Sequence, residues 1–314
     1  MKKIFVCFLF VLIIIFGFYK YSVYRQYREI TKYVNADFLF YEIHGSKTDD
    51  YELAKAVQKG DAKLIKKICK ENPLLVKNTF TEKRYSVLHF ACEIQNKKAV
   101  KSLLEAGINP NAVTENNDTA LMYMFLSKYY WPEIEKRSFR NNRKKIVELL
   151  IDYGIDCNIA GKNDFGKLYG YQINNSEHYI TPLMISSGEG AVDCIELMIQ
   201  KGKADINAKT ENGATSLVCA LDNFKFEVAR ILLCKYHADA TEPFSINGQN
   251  CRTASLLRGF IFPLNSKKHN MKKEIIQELK NQGIDYYSEP IPDDVLDKIK
   301  ELYPNTWEEY IKEY

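Results

Sequence analysis

One register recurs six times along this chain, and it limits the fold more than any other feature. Leu53, Leu88, Leu121, Leu183, Leu217 and Leu256 each open a short helical pattern with a small or apolar residue three places on (Ala56, Ala91, Met124, Ser186, Ala220, Gly259). A second pattern follows each, with apolar pairs at i, i+1 and i+4, i+5, the stripe of an amphipathic helix. The stripes open with Leu64-Ile65, Ala99-Val100, Ile146-Val147, Cys194-Ile195, Val228-Ala229 and Ile275-Ile276. Just beyond each stripe stands Asn72, Gly107, Gly154, Gly202, Tyr236 or Gly283. Gly and Asn accept a left-handed backbone, so these positions read as helix C′ caps, with Tyr236 as the costly exception. Their spacing gives a base period of roughly 34 residues, stretched in places by insertions. A helix pair of this size cannot bury its stripe alone, but stacked neighbours bury it continuously. The expected architecture is an all-α solenoid of about six helix-turn-helix repeats, two with insertions.

Composition agrees. The chain is 46% hydrophobic and 27% charged, so it can bury a core and is not a disordered polyelectrolyte. A net charge of +4, from 44 Lys and Arg against 40 Asp and Glu, is too slight for a dedicated nucleic-acid binder. Eight cysteines in 314 residues are too sparse for a disulfide-stapled scaffold.

The repeats resemble those of ankyrin-repeat proteins over residues 49–290. The helix-opening T-P-L-H-x-A of that family appears as Ser86-Val87-Leu88-His89-Phe90-Ala91 and Thr181-Pro182-Leu183-Met184-Ile185-Ser186, with weaker copies at Thr119 and Thr215. Its G-A-D-x-N appears as Gly107-Ile108-Asn109-Pro110-Asn111 and Gly154-Ile155-Asp156-Cys157-Asn158, with an extra residue from Gly202 to Asn207 and degraded from Tyr236 to Ala240. The resemblance implies a protein partner along the concave face, touching loop tips and the exposed ends of the first helices. Those positions are Glu93 and Ile94, Leu126 and Ser127, Gly188 and Glu189, Asp222 and Asn223 on helices, with Thr114, Glu115, Lys209 and Glu211 at loop tips. It also implies that the motif histidine ties adjacent loops. Only His89 occupies that place; Ala54, Met122, Met184, Val218 and Leu257 stand there elsewhere.

Before the repeats, residues 4–19 (IFVCFLFVLIIIFGFY) carry no charge, after Lys2 and Lys3. Summed insertion energies of about −4 to −8 kcal/mol favour the bilayer, and Lys20 with Tyr19, Tyr21 and Tyr24 suits an interface. A cleaved secretory signal is the alternative, but bulky residues follow the apolar run where cleavage wants small ones. The expected layout is a transmembrane signal anchor at 1–24, a linker at 25–48, the repeats at 49–290 and capping helices at 291–314. Flanking charges nearly cancel; the short N-terminal tail tips the repeats towards the non-cytoplasmic side. In the tail, Pro292-Asp293 starts one helix, and Thr306 with Glu309 reads as a capping box for a second.

Chemistry is scarce. His89-x-x-Cys92 and Cys234-x-x-His237 each offer two ligands, but a closed zinc site needs four and no second pair accompanies either. No nucleophile elbow or phosphate loop is present, so no cofactor, metal or catalytic residue is expected. The insertion 128–145 interleaves aromatics with seven Lys/Arg against Glu133 and Glu135; it reads as a solvated loop whose basic end opens a helix, ahead of a membrane or nucleic-acid contact. The insertion 160–179 reads as an exposed loop. The expectation is a monomeric, non-catalytic, membrane-anchored interaction module without nucleic acid. A self-associating envelope protein is the alternative, and an enzyme ranks last.

Overall fold

A computed structural model describes residues 49–77, 85–130, 137–162, 179–246 and 248–314. The six-fold register becomes six helix pairs. They are α1 (Asp49–Lys59) with α2 (Ala62–Glu71); α4 (Val87–Glu93) with α5 (Lys97–Glu105), after a helical turn α3 (Leu74–Lys77); and α6 (Ala120–Tyr130) with α7 (Arg137–Asp152). Then come α8 (Pro182–Glu189) with α9 (Val192–Gln200); α10 (Ser216–Asp222) with α11 (Phe226–Arg230); and α12 (Thr253–Arg258) with α13 (Lys267–Asn281). First helices pack on first helices and second on second, giving two rows.

Three of the first helices, α4, α8 and α10, start at a hydroxyl that caps them. Ser86, Thr181 and Thr215 accept from the backbone N–H three residues on, at His89, Met184 and Val218, and such a cap is worth about 1 kcal/mol. Asp61 caps α2 in the same way, and Asn96 caps α5 while its amide donates back to Val57 O at 2.9 Å, tying the second pair to the first. The central first helices α4 and α8 are buried nearly all round because neighbours press on them from both sides, whereas second helices bury a stripe such as Ile65 and Cys69 or Cys194, Ile195 and Met198. One continuous core, from Leu53 to Tyr286, results.

Helix ends follow the expected caps only in part. Gly107, Gly154 and Gly283 are left-handed, with φ of 89°, 84° and 80°. Asn72 is not, at φ −131°. In the fourth and fifth pairs the left-handed residue falls one place later than the sequence reading put it, at Lys203 (φ 52°) and His237 (φ 53°). The fifth pair absorbs its extra residue in a π turn over Ile231–Lys235, which leaves Tyr236 at an ordinary φ of −110°. The motif copies are therefore Lys203-Ala204-Asp205-Ile206-Asn207 and His237-Ala238-Asp239-Ala240-Thr241.

The all-α expectation needs amendment at the loop tips. β1 (Gly161–Lys162) pairs antiparallel with β2 (Tyr179–Ile180), and β3 (Phe244–Ile246) with β4 (Gln249–Cys251). The insertion 160–179 thus leaves and returns as a hairpin; residues 163–178 lie outside the described residues. In the other insertion α7 starts at Arg137, so its basic end does open the second helix, while Trp131 lies outside the described residues.

The tail closes the array. After a 3-10 turn (Tyr286–Ser288), α14 (Asp293–Leu302) and α15 (Trp307–Glu313) gather Val295, Ile299, Tyr310 and Tyr314 against Ile261 and Ile291. The Tyr310 hydroxyl donates to Phe262 O at 2.7 Å and accepts from Phe262 N–H at 3.1 Å. The expected capping box is not formed: Thr306 is the N-cap of α15 but makes no side-chain bond.

Candidate functional site

What the helices leave over is a line of loops, and side-chain amides hold it in register. Asn111 donates to Gly154 O at 2.9 Å and accepts from Asp156 N–H at 2.7 Å. Asn158 repeats this one unit on, with Lys203 O (3.2 Å) and Asp205 N–H (2.7 Å), and Asn207 accepts from Asp239 N–H at 2.9 Å. Gln282 ends the series, donating to Ala238 O and accepting from Ala240 N–H. These bonds replace water on loop backbone groups, and each exchange nets about 0.5–1.5 kcal/mol.

Higher up, the tips are joined to one another. Asn117 donates to Ala160 O (2.7 Å) and Lys162 N–H to Asn116 O (2.6 Å). Asn212 donates to Ser245 O (2.7 Å) and Ser245 N–H to Asn212 O (2.8 Å). His89 does what the resemblance implied. Its Nδ1 accepts from Ser86 N–H at 3.1 Å, and Nε2 lies 3.0 Å from Asp118 O, which places the proton on Nε2 and links the second pair to the next loop. Burial pushes the imidazole down to about 4, so it is neutral there, against the opposing pull of the Asp118 carbonyl. Asp118 itself is 1% exposed; burial raises its carboxyl to about 7, and Oδ1 has no hydrogen-bond partner.

The twelve expected partner positions separate sharply. Glu93 is 6% exposed and accepts from the Tyr85 hydroxyl; Thr114 is 4% exposed and accepts from Asp118 N–H; Gly188 is buried beside Asn223. These three serve the interior, because neighbouring first helices and tips close over them. Glu115, Lys209 and Glu211 are exposed at the tips, with Lys209 3.2 Å from Glu242, and Ile94, Glu189, Asp222 and Asn223 are half-buried at the ends of first helices. Leu126 and Ser127 lie on α6, but their side chains are outside the described residues. The sequence reading missed Phe224, next to Asn223: it is 59% exposed, left-handed at φ 59°, and edge-on to Phe260 at 5.2 Å. An apolar residue at the turn of a helix pair, where the first and fourth units have Gly60 and Gly190, was the available signal.

Among the described residues no three His, Cys, Asp or Glu side chains gather as a metal site. The described thiols are free, and burial raises Cys157 and Cys194 to about 12, so they are inert hydrophobes. No described helix is long and apolar enough to cross a membrane; the candidate anchor, residues 4–19, lies outside the described residues.

A row of helix pairs, locked unit to unit through loop amides and presenting a polar edge of hairpin tips, is a repeat solenoid built for docking. Residues 53–131 and 159–243 match the family model described as ankyrin repeats (3 copies). The chain belongs to the ankyrin-repeat family, whose members are typically non-enzymatic protein–protein interaction modules. A DExH-box ATP-dependent RNA helicase, DExH2, of Arabidopsis thaliana is 30% identical over 102 residues, 31% of this chain. The chain spans only 6% of that relative's length, so the likeness concerns one segment.

Proposed function

We propose that this protein is a membrane-tethered, non-catalytic docking module, with residues 4–19 in the bilayer and a protein partner seated on the hairpin tips and first-helix ends. The observation that carries the docking surface is the exposure of Glu115, Lys209 and Glu211 on tips whose backbones are already bonded to their neighbours. Such a surface is rigid before binding, so little ordering entropy opposes association. Mixed charge on those residues suits a protein better than a polyanion. The tether reading rests on the uncharged run 4–19 and its flanking lysines.

The test uses a photo-crosslinkable residue placed at Glu211 or Asp222, and a control at Lys280 on α13. Crosslinks to one partner from the first two sites and none from the third support the reading. Crosslinks from Lys280 alone, or only between copies of this chain, refute it; the latter outcome restores the self-associating alternative.

A further inference from the structure

The second helices present one surface position in register along the whole array, the residue just before the first apolar pair. In chain order it is Lys63, Lys98, Lys145, Asp193, Glu227 and Glu274. The sign of charge reverses once, between the third and fourth pairs. One turn further along the same face the order is Lys66, Lys101, Glu148, Glu196, Arg230 and Gln277, cationic in the first two pairs, acidic in the third and fourth, and cationic again in the fifth.

The two halves also differ in how these charges are matched. From the third pair onward, acids and cations of adjacent units meet: Lys201 reaches Asp152 (2.5 Å) and Glu148 (3.8 Å), Lys235 reaches Glu196 (2.5 Å), and Arg230 reaches Glu274 (3.2 Å). In the first three pairs Lys66 reaches Glu105 at 2.5 Å. Among the described residues, however, Lys63, Lys70, Lys97, Lys98, Lys144 and Lys145 have no carboxylate within ion-pair distance, and all but half-buried Lys97 are exposed.

Local stability does not account for three of these lysines. Lys63, Lys97 and Lys98 stand in the first turns of α2 and α5, where the helix dipole disfavours cations, while Asp193 and Glu227 occupy the equivalent turns of α9 and α11, where it favours acids. An anion outside the chain would account for them. We propose that the lysine stripe on the second helices of the first three pairs lies on anionic phospholipid headgroups, holding that half of the array against the bilayer. This rests on the tether reading in one respect: the stripe belongs to the half nearest in sequence to residues 4–19, with Lys20, Arg25, Arg28 and Lys32 between. The stripe consists of ammonium point charges, and no aromatic interleaves them on α2 or α5, which suits headgroup phosphates better than stacked bases.

The experiment takes residues 49–314, which hold the continuous core and the cap of the described residues. They are sedimented with vesicles of phosphatidylcholine, with and without about 30% phosphatidylglycerol, at low and at high salt. Binding to the anionic vesicles alone, lost at high salt, is expected. K63Q/K98Q/K145Q should weaken partitioning by about a hundredfold, at about fivefold per lysine, whereas K267Q/K280Q on α13 should leave it unchanged. Equal circular dichroism of the two variants establishes that both are folded. Equal binding to neutral vesicles, no binding to anionic ones, or undiminished binding by the triple variant overturns the proposal. So does tighter, stripe-dependent binding of a short RNA, or self-association that the triple variant abolishes. The tether is read separately, by alkaline extraction of membranes carrying the full chain. Resistance to extraction without vesicle binding sinks the stripe alone; extraction of the full chain sinks the tether and leaves the vesicle result standing.

Discussion

Lys272 provides a stability measurement that tests how the C-terminal cap is built. It is 3% exposed, and its ammonium donates to Phe260 O at 2.9 Å while facing the Tyr314 ring at 3.7 Å and the Tyr286 ring at 5.4 Å. Arg258, 4% exposed, shares the pocket, stacked 4.1 Å from Tyr286 with Nε donating to Glu289 O. Burial first, and the Arg258 cation second, push the Lys272 ammonium from 10.5 down to about 7. Between those values the unfolded chain holds a proton that the folded chain releases, so stability rises with pH through the window. Integrated, the penalty is about 4 kcal/mol at pH 7 and about 2 kcal/mol at pH 9. The ring contacts favour the charged form, so a gain of about 2 kcal/mol over this interval is an upper figure.

Buried thiols such as Cys157 and Cys194 pull the other way as unfolded cysteines ionise, and the readout is therefore a difference. Urea unfolding of K272M and its parent is followed at pH 7, 8 and 9. A W131F background leaves Trp307, on α15, as the only tryptophan. The parent should gain up to about 2 kcal/mol on K272M between pH 7 and 9. Parallel curves would refute the account of this pocket.

Three further outcomes follow from the loops. K203G should stabilise by about 0.5–1 kcal/mol by relieving a left-handed lysine, whereas G202A should destabilise, because its Cβ would come within 2.7 Å of Cys157 Sγ and 2.8 Å of Met198 O; the reverse order in thermal melts would restore the cap to Gly202. N158A removes two bonds to the next unit and should cost about 1–2 kcal/mol in urea unfolding, with no loss marking the loop ladder as idle. His89, lowered to about 4, loses stability for the array as pH falls from 6.5 towards 4, and Asp118, raised to about 7, gains it from 7 towards 3.8. D118N should therefore melt more steeply with acid than its parent, and a shallower acid limb would contradict the neutral carboxyl.

The helix pairs were legible because burial on a repeating stripe leaves a repeating record, and Ile65, Val100, Val147, Ile195 and Ala229 all fall in the core at equal register. What escaped reading was set by backbone detail. The extra residue in the fifth pair could be spent in the loop or in the helix; the π turn at Ile231–Lys235 spends it in the helix, and periodicity alone does not distinguish the two. The docking positions fared less evenly. Glu115 and Glu211 are tips by their place in the motif, whereas Glu93 looked like surface by its charge and is covered by Tyr85 from the preceding loop, a contact between elements that local pattern does not encode. The pairing of Gly161 with Ile180 likewise joins the two ends of an insertion whose composition gave no strand signal.

The cap supplies the strictest test of the repeat physics itself. Removing residues 291–314 strips Tyr310 from the Phe262 backbone and Tyr314 from the Tyr286 hydroxyl, and it opens Ile261 to water. Lys272 and Arg258 then recover solvent, which returns part of the loss. In an array where each unit touches only its neighbours, the damage should stop within the sixth pair, α12 with α13, because the first five keep all their own interfaces. The truncated protein should keep most of its helical circular dichroism, lose hydrogen-exchange protection over 253–281, and self-associate with rising concentration through the bared apolar end. Cooperative loss of the whole helical signal would mean that the array folds as one body and that stability is not the sum of neighbouring contacts. A monomer with protection intact over 253–281 would mean that the tyrosine contacts hold the tail in place without holding up the repeat beneath it.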